Sequence, residues 1–233
     1  MPPPSEQDDP RPAVGQAVVT QAARACLAAS LDAAQGADWP FAHWTLADLL
    51  PPACVAALLD WDPGRGARGG DTGGRREARN ANRVFVTPSQ RARVPGLAVL
   101  ADMFDAPATR QALAGLCGAR LAGTALRLEL CLDTDGFWLE PHTDIGAKKL
   151  TLLVSLSTDA DAAAWGTDLM TGDGRAVARA SGAFNSGLLF VPASDSWHGF
   201  VRRPIRGLRR SLIVNFVGPE WCATQELAFG PAG

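Results

Sequence analysis

Apolar and polar residues alternate strictly along Leu126-Arg-Leu-Glu-Leu-Cys-Leu-Asp133, with leucine at every even position. Successive side chains of a strand point to opposite faces, so this period of two predicts a β-strand with one leucine face and one polar face. Leu150-Thr-Leu-Leu-Val-Ser-Leu156 predicts a second strand, and the stretches 187–191, 197–201 and 211–217 predict three more. Residues 167–170 and 175–178 read as a hairpin around Gly172-Asp173-Gly174. Short strands at such intervals, with no helical period between them, point to an antiparallel sandwich or barrel.

The first half of the chain follows another rhythm. Val18 to Ala34 is alanine-rich with apolar residues at helical spacing, and Pro51-Pro52 opens a second helical stretch over 53–61. Residues 94–118 are broadly helical with a break near Pro107, and Arg83 to Thr87 reads as a short strand. Between these, residues 62–82 are rich in Gly, Arg, Asp and Asn and keep no apolar period, which predicts a long functional loop. Helices first and strands after predict an α+β domain, mainly β, whose N-terminal helices buttress a barrel. The expected division is a disordered tail over 1–15 and a single domain over 16–233. Within that domain, 16–125 would be the helical support and 126–217 the β core.

Composition narrows the function classes. The chain has 233 residues, 47% hydrophobic and 20% charged, enough to bury a core without staples. Lys+Arg is 22 and Asp+Glu is 24, a net charge of −2, which argues against a nucleic-acid partner that binds through charge. No apolar run approaches the ~18 residues of a membrane span. Five scattered cysteines without CxxC spacing and a proline-rich acidic start, Met-Pro-Pro-Pro-Ser-Glu, lead us to expect a cytoplasmic protein.

The candidate chemistry lies in three histidines, His43, His142 and His198. His142-Thr-Asp144 places an imidazole and a carboxylate two residues apart, on one face if the stretch is a strand, so both would reach one metal ion. His198 follows at the edge of another predicted strand. Two His and one carboxylate form the facial triad of non-haem Fe(II) oxygenases, and the same ligands would also suit zinc. Arg209 and Ser211, in Gly207-Leu-Arg-Arg-Ser211, again share a strand face. A guanidinium fork with a hydroxyl beside it suits a carboxylate, a feature that a bare zinc site leaves without a role. His43, among Phe41, Trp44 and Leu46, reads as a core histidine.

In this order, His-x-Asp, then His, then Gly-x-Arg-x-Ser, the sequence resembles the Fe(II)- and 2-oxoglutarate-dependent oxygenases, nearest to their prolyl-hydroxylase-like branch. The resemblance covers residues 126–217, with a looser reach back to Phe41. It implies a double-stranded β-helix, or jelly roll, with His142, Asp144 and His198 as catalytic iron ligands. It also implies that Arg209 and Ser211 bind the distal carboxylate of 2-oxoglutarate, and that O2 is the third reactant. The family reaction couples decarboxylation to succinate and CO2 with hydroxylation of an unactivated C–H bond. Because Asp144 is present, hydroxylation or desaturation is expected rather than halogenation.

Two departures stand out. Many members of this branch carry a tyrosine before His-x-Asp that helps to hold the cosubstrate, and this chain has no tyrosine. Arg127, Glu129 or a hydroxyl such as Thr151 is expected in its place, with Thr151 and Arg127 taken as cosubstrate contacts. Where the family usually has Gly-Gly, this chain has Trp165-Gly166. Expected substrate contacts are Arg79, Asn80 and Arg83 from the loop, acting as a lid, together with Glu129, Trp138 and Trp165. A small chain without an accessory domain favours a small-molecule substrate such as an amino acid or metabolite. The alternatives are a prolyl or other residue in a peptide or protein, and a non-catalytic jelly-roll binding module.

Overall fold

A computed structural model of the chain describes residues 11–61, 74–75 and 83–230. Helix α1 (Arg11–Asp32) starts inside the expected tail. Pro12 falls in its first turn, where proline leaves no helical hydrogen bond unmade, so a proline-rich start is compatible with helix. Strands β1 (Gln35–Ala37) and β2 (His43–Leu46) follow. Helices α2 (Pro52–Asp60), α3 (Pro88–Arg93), α4 (Pro95–Asp105) and α5 (Pro107–Cys117) all begin on proline, whose preset φ suits a first turn. Gly118, at φ 71°, ends α5 in the left-handed conformation that a residue with a Cβ resists. Most of the expected loop, with Arg79 and Asn80, lies outside the described residues. Within it, β3 (Gly74–Arg75) pairs in parallel with residues 137–138, and after it β4 (Arg83–Phe85) pairs antiparallel with residues 129–131.

The β core comprises β5 (Ala125–Asp133), β6 (Phe137–His142), β7 (Lys148–Ser155), β8 (Asp168–Met170), β9 (Ala176–Arg179), β10 (Gly187–Phe190), β11 (His198–Phe200) and β12 (Arg209–Val217). One sheet runs β1-β2-β10-β7-β12-β5-β4 and the other β3-β6-β11-β8-β9, antiparallel throughout except for β3 against β6. This mainly antiparallel two-sheet arrangement with helices on its flank is the expected α+β jelly roll.

The alternating pattern decides which face does what. Leu126, Leu128, Leu130, Leu132, Leu150, Leu152, Leu212 and Val214 share one apolar cluster with Leu27, Leu58, Leu97 and Phe104 of the helices. The helices therefore cover the outer face of the large sheet, and burial of several large side chains there, worth roughly 1.5–3 kcal/mol each, anchors it. The other residues of the same strands face the barrel interior. Arg127, Glu129 and Asp133 of β5, Thr151 of β7, and Arg209, Ser211 and Asn215 of β12 are all buried. The small sheet closes the far side with a separate cluster of Phe137, Ala162, Trp165, Phe200 and Ile205.

Candidate active site

Register orders the polar interior into rows. Across β5, β12 and β7, Arg127 lies opposite Asn215 and Asn215 opposite Thr151, while six residues away along β12 Arg209 lies opposite Asp133. At ~3.4 Å per residue the backbones of these two rows are roughly 20 Å apart along the strands, but the Arg209 guanidinium reaches back to the ring of Phe200, only two residues from His198 on β11, so its charge ends much nearer the histidines than its backbone does. A cavity of about 370 Å³ lies between the sheets, lined by Arg83, Arg127, Glu129, Lys148, Arg209 and Ser211 as well as by the three candidate ligands.

Among the described residues, one group of three or more His, Cys, Asp or Glu side chains converges as a metal site: His142, Asp144 and His198, with ligand atoms all within 4.8 Å of one another. His142 ends β6 and is paired directly with His198 of β11, with ring centroids 4.3 Å apart. Asp144 lies beyond the end of β6, which corrects the expectation that it shares a strand face with His142. It is held instead by two side chains. Lys148 Nζ lies 2.5 Å from Oδ1, and the Thr151 hydroxyl donates to Oδ2 at 2.6 Å. Gly199, next to His198, lies where a Cβ would come 2.8 Å from the Leu139 carbonyl oxygen, so glycine lets β11 close against β6.

The donor set fits Fe(II). Nδ1 of His142 lies 2.9 Å from the Glu140 carbonyl and Nδ1 of His198 lies 2.9 Å from the Ser196 carbonyl. A carbonyl only accepts, so each Nδ1 carries the hydrogen and each Nε2 is the ring atom left to face a metal. Burial, reinforced by the neighbouring His142 and opposed by Asp144, lowers the pKa of His198 to about 4, so it is neutral at physiological pH. Burial works against the charge of Asp144, but Lys148, His198 and the Thr151 hydroxyl outweigh it and hold the carboxyl below its ordinary pKa. Two imidazole nitrogens and an ionised carboxylate are the hard-to-borderline ligands that suit Fe(II).

A directed chain of hydrogen bonds extends from this centre. Asn215 Nδ2 donates to the Thr151 hydroxyl at 2.9 Å, and Arg127 Nη1 donates to Asn215 Oδ1 at 3.1 Å. Arg127 is itself paired with Glu129 at 2.7 Å and Glu226 at 2.6 Å, and its guanidinium lies over the rings of Phe85 and Trp221. Glu129 also binds Arg83. Thr151 and Arg127 thus stand at the metal end of the cavity, in the row away from Arg209.

Arg209 occupies the other end. Its Nη1 lies 2.5 Å from Asp133 Oδ2, its Nε donates to the Trp165 carbonyl at 2.8 Å, and the Phe200 ring lies 4.7 Å from its guanidinium carbon. Ser211 lines the cavity beside it. Trp165 contributes its backbone here, while its side chain packs with Phe137 and Phe200 in the small-sheet core. Gly166 is indispensable because a Cβ would collide with the Ala180 carbonyl. Trp138 lines a separate depression with Pro141 and Val201 rather than the main cavity. His43 is buried in β2 with Nδ1 2.8 Å from the Phe41 carbonyl.

Sequence reasoning missed Lys148, Asp133, Asn215 and Glu226. Asp133 and Asn215 carried a signal, since each shares strand parity with a residue already singled out. Lys148 and Glu226 carried none: Lys148 opens β7 just after the loop that bears Asp144, and Glu226 comes from a distant 3-10 turn.

No protein-family model matches the chain, and no curated protein matches its sequence. Solved structures do. A prolyl-4-hydroxylase from Pseudomonas putida is 18% identical over 82% of this chain and 94% of that one, with a TM-score of 0.51. A prolyl hydroxylase from Trichoplax adhaerens, in complex with a hypoxia inducible factor oxygen degradation domain peptide fragment, is 13% identical over 87% and 92%, with a TM-score of 0.53. The viral collagen prolyl hydroxylase of Paramecium Bursaria Chlorella virus-1 is 12% identical over 76% and 90%, with a TM-score of 0.53. The fold is therefore that of the prolyl-hydroxylase-like 2-oxoglutarate and Fe(II) oxygenases.

Proposed function

We propose that this chain is a Fe(II)- and 2-oxoglutarate-dependent dioxygenase that hydroxylates an unactivated C–H bond of a small polar molecule, such as an amino acid or metabolite. The observation that carries the reading is the convergence of Asp144 with two histidines whose Nδ1 atoms are both committed to backbone carbonyls. Fe(II) held there, together with 2-oxoglutarate and O2, supplies the oxidising power for the C–H bond, with succinate and CO2 as coproducts. The protein's own groups do the rest. Lys148 and Thr151 hold Asp144 in place, Arg209 and Ser211 receive the far end of the cosubstrate, and Phe137, Leu139 and Phe200 keep that end dry.

A small substrate is supported by a cavity of about 370 Å³ whose metal end is walled by Arg83, Arg127, Glu129 and Lys148. The second reading is a prolyl residue in a peptide, favoured by the prolyl hydroxylases of the same fold. Succinate release from 2-oxoglutarate, measured with free amino acids and with proline-containing peptides as separate panels, decides between them. Stimulation by the free amino acids alone supports the small-molecule reading, and stimulation by peptides alone replaces it. A jelly roll that only binds would give no substrate-stimulated succinate in either panel.

A further inference from the structure

The deep end of the cavity differs from a simple carboxylate receptor. Among the described residues that line the cavity, Arg209 is the basic one at this end, and a carboxylate of the same chain already lies against it. Asp133 sits directly across the β5–β12 ladder from Arg209, its Oδ2 is 2.5 Å from Nη1, and the two side chains are only 2% and 9% exposed. The Trp165 carbonyl takes Nε. The guanidinium is further fixed by the faces of Phe200 at 4.7 Å and Phe137 at 5.5 Å. A cosubstrate with a distal carboxylate would bring a second anion to a cation that Asp133 already neutralises. In a buried setting two carboxylates on one guanidinium repel, and most of the coulombic gain of the second is lost. Around the same end, Phe137, Leu139, Phe200 and Ile213 line the cavity and offer apolar surface to an uncharged tail.

Resting on the oxygenase reading, we propose that Asp133 sets cosubstrate selectivity. By pre-neutralising Arg209 it makes the site admit 2-oxo acids with uncharged tails alongside 2-oxoglutarate. Asp133 lies at the last position of the polar face of the Leu126–Asp133 strand, in a chain that has no tyrosine to offer there. The selectivity is thus a property of this chain's own residues. Asp133→Asn keeps the shape and one acceptor for Arg209 but removes the competing charge. It should turn the deep end into a site that strongly prefers a dianion.

The test is anaerobic calorimetric titration of the Mn(II)-loaded full chain with 2-oxoglutarate and with 2-oxopentanoate, which has the same chain length and no distal carboxylate. For the unmodified protein the two dissociation constants should agree within about tenfold. In Asp133→Asn, 2-oxoglutarate should bind about tenfold or more tighter than in the unmodified protein, with 2-oxopentanoate changed less than about threefold. An unmodified protein that prefers 2-oxoglutarate by about a hundredfold or more overturns the proposal, and that ratio needs no variant to fold. So does an Asp133→Asn protein that melts normally yet binds 2-oxoglutarate no better or worse, because Asp133 would then orient Arg209 for the cosubstrate. If neither 2-oxo acid binds any form with or without metal, the oxygenase reading itself fails, and with it this inference.

Discussion

Thr151→Val tests the hydrogen-bond chain that holds the metal ligand. Valine matches the shape of threonine and suits a strand, so the change removes the hydroxyl and little else. Two bonds go with it. The Thr151 hydroxyl donates to Asp144 Oδ2 at 2.6 Å, a bond to a charged group worth ~1.5–3 kcal/mol. It also accepts from Asn215 Nδ2 at 2.9 Å, and the amide's remaining acceptor, the Leu150 carbonyl, is a poor 3.4 Å away. Asn215 is 0% exposed, so the stranded donor costs a further ~1–3 kcal/mol. Together the expected loss is about 2.5–6 kcal/mol of stability, roughly 5–24 °C in melting temperature for a domain of this size. Asp144 also loses the group that aims it, and losses of this kind weaken metal binding about 10–100-fold. Scanning calorimetry of the metal-free protein reads the first effect, and anaerobic Mn(II) titration the second. Thr151→Ser keeps the hydroxyl and should retain most of both. Asn215→Ala combined with Thr151→Val should cost less than the two singles added, because the pair shares a bond. Thr151→Val that melts within a degree of the unmodified protein and binds Mn(II) within twofold would falsify the chain as a support of Asp144.

Other outcomes follow from the same geometry. His142→Ala, Asp144→Ala and His198→Ala should each abolish Mn(II) binding in the titration, whereas His43→Ala should lose stability and keep the metal; loss of metal in His43→Ala would displace the assignment. Arg209→Met removes the guanidinium that lies 2.5 Å from the buried Asp133 carboxylate and should cost about 3–5 kcal/mol in urea unfolding, with Arg209→Met/Asp133→Leu recovering much of it; equal stability of the single and double variants would contradict the pairing. Burial, with a smaller contribution from Cys26, pushes the Cys54 thiol up to about 12, so at pH 8 thiol alkylation followed by mass spectrometry should label exposed Cys222 and spare Cys54 until the chain is unfolded. Products formed in chloride buffer should carry no chlorine, since on the proposed reading Asp144 would fill the ligand position that chloride needs.

What the sequence disclosed, and what it did not, follows from the range of the interactions involved. A period of two along Leu126–Asp133 is local information, and it correctly separated the leucine face that meets the helices from the polar face that lines the cavity. The same parity placed Arg209 and Ser211 together inside the barrel. Failures came where tertiary contacts override local pattern. His-x-Asp has the spacing of a strand face, yet β6 stops at His142 and Asp144 is aimed by Lys148 and Thr151. Strand β2 was invisible because four residues, His43–Leu46, are made a strand by pairing with β10 rather than by their own period. Trp165 looked like a pocket wall because an indole near a motif invites that reading. Its neighbours Phe137, Phe200 and Ile205 come from elements far off in sequence, and they make it core. Asp133 was legible as a position but not as a partner, since only the register of β5 against β12 sets it opposite Arg209.

The central claim is that His142, Asp144 and His198 form an iron centre to which a 2-oxo acid binds. It is tested most directly by anaerobic titration of 2-oxoglutarate into the protein with and without Fe(II). The account predicts one binding event per chain that requires Fe(II) and vanishes in His198→Ala. Binding of equal strength without the metal, or binding that survives His198→Ala unchanged, would contradict it.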